Sequence, residues 1–341
     1  MKQSKRLELL VGYKCNNNCL FCIISGERNW WRTHGDNLSR SYDELKEKIL
    51  KAKGSGITKI NFNGGEPTIH PQIIKLIYYA KSLGFDEIFM TSNGKMFYYK
   101  HFCELVIDAG LNGVLFSLHG HNAELHDHLT QSPGSFDQII QGIKNLKEIR
   151  DRQHLNFQIW NNTTITKTNF RFLSEISNLL INLGVDFYQF TFVNPMGNAW
   201  DNKHEMIPRV SDTIGYIKKA LDVGVKRDVC KPTIEGLPVC FFKGYEKYIA
   251  EFYMPAYWEY DSQEKKILDF NEHRKNEGKT KSSSCRKCKY NLICEGIWNN
   301  YVEIFGFDEF IPVKGKYIKD PRTLWADDQK KKHIVKSYKQ K

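Results

Sequence analysis

Apolar and polar positions alternate in two rhythms up to about residue 195, and the pattern changes afterwards. Short β-rich runs at 7–12, 57–62, 86–91, 113–118, 155–161 and 186–193 read as strands. Longer amphipathic stretches near 41–53, 71–83, 97–109, 135–151 and 169–183 read as helices. A strand followed by a helix, over and over, predicts a parallel sheet of βαβ units. Six such units make an open doubly wound sheet or a partial barrel. Ser41, with Glu44 three positions on, is a capping box that satisfies two free amide donors. Gly84 and Gly110 stand just past helices, where a left-handed residue ends the turn. After about residue 200 the apolar runs thin out and prolines and aromatics increase. The loop KNEGKTKSSS then leads into a group of cysteines. The expectation for this part is a helix followed by a smaller, metal-stabilised module.

The 341 residues suit one large α/β domain with an appendage, or two ordinary domains. No apolar run approaches the ~18 residues of a membrane span. The opening MKQSKRLELLVGYKC reads as a first strand rather than a signal peptide, so the chain is expected in the cytoplasm. Disulfides rarely persist there, which turns attention to the nine cysteines as metal ligands or reactive groups. Cys15, Cys19 and Cys22 form one cluster and Cys285, Cys288 and Cys294 another, while Cys103, Cys230 and Cys240 stand apart. Cys103 reads as an ordinary half-buried thiol. The net charge of +11 fits nucleic acid, a nucleotide or an acidic peptide as partner without choosing between them. The plainer reading of that charge is a solvated basic tail (KKKHIVKSYKQK) and a solvated basic loop at 274–281.

Cys15-x3-Cys19-x2-Cys22 follows directly on the first strand. Four ligands close a zinc site, whereas three thiolates around a [4Fe-4S] cubane leave one iron open. A zinc site completed by His34 is the alternative. CNNNCLFC resembles the signature loop of the radical S-adenosylmethionine (radical SAM) superfamily, in which an aromatic such as Phe21 commonly precedes the third cysteine and packs near adenine. Gly64, Gly65, Glu66 and Pro67 resemble the family's GGEP motif, which implies a hold on the AdoMet amine. Ser92 and Asn93 in TSNG, Ser117 and His119 in SLHG, Asn162 and Thr164 in NTT, and Val193 and Asn194 in VNP occupy the positions where the resemblance implies further AdoMet contacts. All these motifs fall at the C-terminal ends of successive strands, the face that carries the site in parallel α/β folds. The resemblance covers roughly residues 7–195. It implies a partial (β/α)6 TIM barrel, a reduced cluster that cleaves AdoMet to a 5′-deoxyadenosyl radical, and a reductant such as flavodoxin or ferredoxin.

His119, His121, His126 and His128 are dense enough to suit a metal, but the resemblance instead makes His126-Asp127…Thr130 the start of the loop after the fourth strand. The second cysteine group, with Cys240 or Cys230 as a fourth ligand, resembles the auxiliary-cluster modules called Twitch and SPASM. The cysteines are too few for SPASM, so a single auxiliary [4Fe-4S] is expected, with structural zinc as the alternative. The divisions expected are a core over 1–200, a connecting helix or linker over 201–235, an auxiliary-cluster module over 236–315 and a basic tail over 316–341.

The leading reading of function is modification of a peptide or protein, with leader recognition left to a separate partner. The alternative is a small metabolite, nucleotide or RNA substrate. RNA would show in a strong salt dependence of binding. A third reading, an iron–sulfur sensor without turnover, sits poorly with a complete AdoMet motif set. The molybdopterin-pathway cyclase is disfavoured, because its C-x2-C-x13-C pattern and C-terminal double glycine are missing. Asp127, Tyr188, Glu205 and Glu295 are the candidate acids and bases.

Overall fold

Leu7, Leu9 and Leu10 make the first strand a buried one, and it becomes the seed of the whole sheet. In the computed structural model, which describes residues 5–35, 37–227, 231–254 and 257–324, β1 (Lys5–Leu10) pairs in parallel with β2 (Lys59–Asn63). The ladder continues in parallel through β3 (Glu87–Ser92), β4 (Gly113–Phe116), β5 (Gln158–Ile165) and β6 (Phe187–Phe192). These are the six expected strands, each shifted by a few residues. Helices α1 (Ser25–His34), α2 (Tyr42–Gly54), α3 (Ile73–Ser82), α4 (Lys100–Asp108), α5 (Ala123–Thr130), α6 (Ser135–Gln153), α7 (Leu173–Leu183) and α8 (Val210–Arg227) connect or follow them. The helix α1 was not expected. Its sequence SGERNWWRTH is mostly polar and carries no apolar stripe at helical spacing.

The second half of the chain adds to the same sheet. β7 (Lys231–Glu235) pairs in parallel with β6, and β8 (Tyr257–Asp261) pairs in parallel with the free side of β1. A short β9 (Lys266–Ile267) turns back antiparallel to β8. Eight parallel strands therefore run in one sheet, so part of the stretch beyond residue 200 belongs to the barrel wall. Neither added strand is legible by periodicity: KPTIE is broken by Pro232, which an edge strand tolerates, and YWEYD mixes aromatics with acids. Ion pairing holds β8 in place. Buried Arg40 bonds Asp261 at 2.6 Å and the Leu10 carbonyl at 2.9 Å, and Lys48 reaches Asp261 at 3.1 Å.

Only half of the expected capping box forms. Ser41 Oγ accepts from the Glu44 amide at 3.2 Å, but the Glu44 carboxylate turns to Arg40 Nε at 2.9 Å instead of closing the box. Gly84 and Gly110 do adopt left-handed φ, at 75° and 110°. The basic loop at 274–281 is solvated only in part: Lys275 and Lys281 are exposed, whereas Arg274 and Lys279 are enclosed and ion-paired, which corrects the expectation for those two. Residues 325–341, the greater part of the basic tail, and Cys230 lie outside the described residues. Among the described residues no helix is long and apolar enough to cross a membrane.

Candidate active site

The loop after β1 and the loop after β2 are built to touch. The Gly65 amide donates to the Gly12 carbonyl at 2.9 Å and the Glu66 amide to the Lys14 carbonyl at 2.8 Å. A side chain would not fit between them: a Cβ on Gly65 would lie 2.2 Å from the Lys14 carbonyl oxygen, and one on Gly64, at φ 126°, would lie 2.3 Å from the Gly12 oxygen. The cysteine loop itself is pinned by backbone and asparagine contacts. Asn198 Nδ2 donates to the Cys19 carbonyl at 2.8 Å, Ser25 Oγ to the Cys22 carbonyl at 2.9 Å, and Lys95 Nζ to the Asn16 carbonyl at 3.0 Å.

This arrangement brings Cys15, Cys19, Phe21 and Cys22 to one cavity of about 730 Å³. Gly64, Gly65, Ser92, Asn93, Ser117, His119, Asn162, Thr164 and Asn194 line it as well, from the C-terminal ends of β2 to β6. Burial, with Glu66 the next contribution, pushes the Cys15 thiol up to about 11; burial also raises Cys19 and Cys22. The three thiols are thus protonated until a metal displaces their protons. The donor set and the side-chain-free approach of the two loops fit a three-thiolate cluster with AdoMet beside it.

Three of the expected cofactor contacts do not face the cavity. Glu66 is buried beneath its loop, where its carboxylate accepts from Thr68 Oγ1 (2.6 Å), Ser92 Oγ (2.8 Å) and the Asn93 amide (2.7 Å). It therefore fixes the shape of the β2 and β3 loops rather than reaching into the cavity, which leaves the exposed backbone of Gly64 and Gly65 to meet a ligand. Pro67 opens a short 3-10 turn behind it, and Val193 is packed in the core.

Of the four histidines, His119 and His126 meet, while His121 and His128 lie apart from them. His119 stacks on His126 at 6.0 Å and meets Phe21 edge-on at 4.7 Å. Its Nδ1 accepts from the Thr164 amide at 3.1 Å. Burial, and then His126, holds the His119 imidazole neutral, well below its ordinary value. His121 lies against Phe172, and His128 pairs with Glu205 at 2.8 Å. Among the described residues no three His, Cys, Asp or Glu side chains form a single-ion site.

The expected acids and bases are structural as well. Asp127 accepts from Ser135 Oγ and the Gly134 and Phe136 amides at the start of α6. Tyr188 is buried and donates to the Ala220 carbonyl at 3.2 Å. Glu205 is exposed, facing His128. Glu295 does lie close to the cavity wall, in a buried network with residues the sequence reading missed. Arg274 bonds Glu235 and Glu295, each at 2.9 Å, and Lys279 bonds Glu295 at 2.7 Å and Glu251 at 3.1 Å. Glu235 and Arg274 line the cavity, along with Arg28, Tyr260, Lys265, His273 and Trp298. Burial pushes the Glu235 carboxyl up against the pull of Arg274. Burial acts the same way on Glu295, but Lys279 and then Arg274 outweigh it and hold that carboxyl down. The one sequence signal for Glu235 was its place at the end of a strand, hidden because β7 went unread.

Cys240, Cys285, Cys288 and Cys294 line a second, smaller cavity with Pro238, Phe310 and Pro312. Burial, then the nearby Cys294, Cys288 and Cys285, pushes the Cys240 thiol up to about 12. Cys103 is buried in α4 and bonds the Phe97 carbonyl, away from both sites.

Residues 9–169 match the family model described as "Radical SAM superfamily". A curated relative from Saccharolobus islandicus (strain M.14.25 / Kamchatka #1), named "Probable GTP 3',8-cyclase", is 28% identical over 228 residues, which is 66% of this chain and 67% of the relative. The fold is similar to that of Streptococcus suis SuiB bound to S-adenosylmethionine, with a TM-score of 0.61 at 17% identity over 93% of this chain and 77% of that one. SuiB bound to precursor peptide SuiA gives 0.59 at 16% identity, over 94% and 76%. With its cysteine loop and strand-end loops in the register described, residues 9–169 of this chain form a domain of the radical SAM superfamily of enzymes.

Proposed function

We propose that this enzyme abstracts hydrogen from a small metabolite or nucleotide held beside AdoMet in the 730 Å³ cavity. The shape of that cavity carries the reading. The cluster loop and the strand ends line it together with Tyr260, Ile267, Phe270, Arg274 and Trp298 from the second half of the chain. Its volume lies within the ~300–1,000 Å³ of small-molecule sites. The curated relatives, named for a nucleotide reaction, support the same substrate size. Cys285-x2-Cys288-x5-Cys294 departs from the spacing expected of the cyclase, so GTP itself is not assigned.

Within this reading Gly64 and Gly65 offer backbone groups to the AdoMet methionine end, and Phe21 and Asn194 flank the other end. Neutral His119 holds the β4 loop through the Thr164 amide without adding charge. When bound, the reduced cluster and AdoMet supply the 5′-deoxyadenosyl radical.

Cys240, Cys285, Cys288 and Cys294 are proposed to hold an auxiliary [4Fe-4S], with zinc as the alternative. Their joint lining of one cavity supports a shared metal group there.

Modification of a peptide is the second reading. The likeness to SuiB, which spans the barrel and the C-terminal part together, favours it.

The test is anaerobic reconstitution, dithionite reduction and chromatography for 5′-deoxyadenosine, with iron and zinc counted per chain. Metabolite and nucleotide pools are compared with peptide pools for stimulation and for deuterium transfer into 5′-deoxyadenosine. Stimulation by peptides alone, or no 5′-deoxyadenosine that depends on Cys22, would reject the reading.

A further inference from the structure

Among the described residues three arginines are buried: Arg28, Arg40 and Arg274. Two of them sit between carboxylates. Arg40 pairs with Glu44 and Asp261, and Arg274 with Glu235 and Glu295. Arg28 is the exception. It is 2% exposed, and its only hydrogen bonds among the described residues go to uncharged groups of the cysteine loop. Nη2 donates to Asn18 Oδ1 at 2.8 Å and Nη1 to the Asn17 carbonyl at 3.4 Å, while Nε has no partner.

A guanidinium keeps its charge under all ordinary conditions, and burying it without a counterion costs several kcal/mol. Arg28 lines the same cavity as Cys15, Cys19 and Cys22, and its charge acts favourably on the thiolate form of all three. We infer that Arg28 is the countercharge of the three-cysteine site and raises the reduction potential of the cluster held there. This rests on the reading that these cysteines carry a [4Fe-4S] cluster. Thiolates outweigh the charge of an oxidised cubane core, and reduction adds a further negative charge. A fixed cation beside it therefore stabilises the reduced state more than the oxidised one. Arg28 is held in place by the very loop that carries the ligands, so its distance to them does not depend on the substrate.

The experiment is an EPR-monitored redox titration of the reconstituted full chain, comparing wild type, R28K and R28Q, first without AdoMet and then with it. R28Q is expected to titrate at a more negative potential. At the wild-type midpoint its reduced-to-oxidised ratio falls about tenfold, which is about 59 mV for a one-electron couple. R28K, which keeps the charge, stays near wild type. An unmoved midpoint in R28Q overturns the inference. So does an equal shift in R28K, because charge is then not the cause. A midpoint unmoved without AdoMet, with AdoMet affinity reduced, also overturns it and gives Arg28 to the AdoMet carboxylate. If R28Q loses iron while R28K holds it at the wild-type potential, the inference stands; loss from both variants makes the side chain a packing element. A reduced wild-type chain with no cluster signal defeats the cluster reading and this one together.

Discussion

Removing Arg274 tests the buried network that joins the cavity wall to the second cysteine site. Arg274 and Lys279 together face Glu235, Glu251 and Glu295, with Arg274 3% exposed, Lys279 fully enclosed and the acids 7–15% exposed. In R274M three buried carboxylates share one lysine, and two of them lose their guanidinium contact. Breaking a buried pair by deleting one partner costs about 3–5 kcal/mol, because the partner is left charged and unpaired. Part of that cost is recoverable by removing the stranded charge. Adding E235Q to R274M is therefore expected to restore about 1–2 kcal/mol, the size of coupling between contacting residues.

The pH dependence has a definite sign. Burial already pushes the Glu235 carboxyl up, and losing Arg274 pushes it further. A carboxyl raised on folding favours the folded state at low pH and loses that contribution as pH rises. The deficit of R274M relative to wild type should thus shrink between pH 7 and pH 5. Urea unfolding of wild type, R274M, E235Q and R274M/E235Q at both pH values measures all of this. A loss under about 1 kcal/mol, or single-variant effects that simply add, would refute the claim that these charges are coupled and buried.

Other outcomes follow from the same geometry. G65A places a methyl group 2.2 Å from the Lys14 carbonyl, so the cluster loop must move; iron content and AdoMet affinity should both fall, with about 1–3 kcal/mol lost in urea unfolding. Burial pushes His126 down to about 4, so acid favours the unfolded state as pH falls from 6.5 toward 4. At about 1.4 kcal/mol per pH unit this amounts to about 3 kcal/mol at the acid end, and H126Q should flatten the pH profile of unfolding over that window. C288S should remove the metal of the second site, read as lost iron or zinc per chain, while 5′-deoxyadenosine formation without substrate persists. E66Q turns an amide NH2 toward the backbone N–H of either Thr68 or Asn93, both of which now donate to Glu66, so one bond tying the β2 and β3 loops is lost and about 1–3 kcal/mol should go in urea unfolding; an unchanged stability with a lost AdoMet affinity would instead point to a direct hold on the AdoMet amine.

What the sequence by itself determined is local. Strand and helix periods gave six βα units, and residue types at strand ends marked the cluster loop, the paired glycines and the polar cavity floor. Cysteine spacing separated two groups of cysteines. These features are legible because each depends on a few neighbouring residues: three thiolates on one loop, a glycine where backbones meet, a polar residue where a strand stops. Tertiary structure decided the rest. Glu66 looked like a cofactor ligand because its motif is on the surface of the sequence, but only the fold shows that Thr68, Ser92 and Asn93 consume its oxygens. Asp127, Tyr188 and Glu205 likewise lost their candidacy to partners far along the chain or around a turn. Arg28, Glu235 and Arg274 gained theirs for the converse reason. A single charge in a polar helix or a five-residue strand carries no pattern of its own, and its role is set by which charges the folded chain brings beside it and how little water is left there.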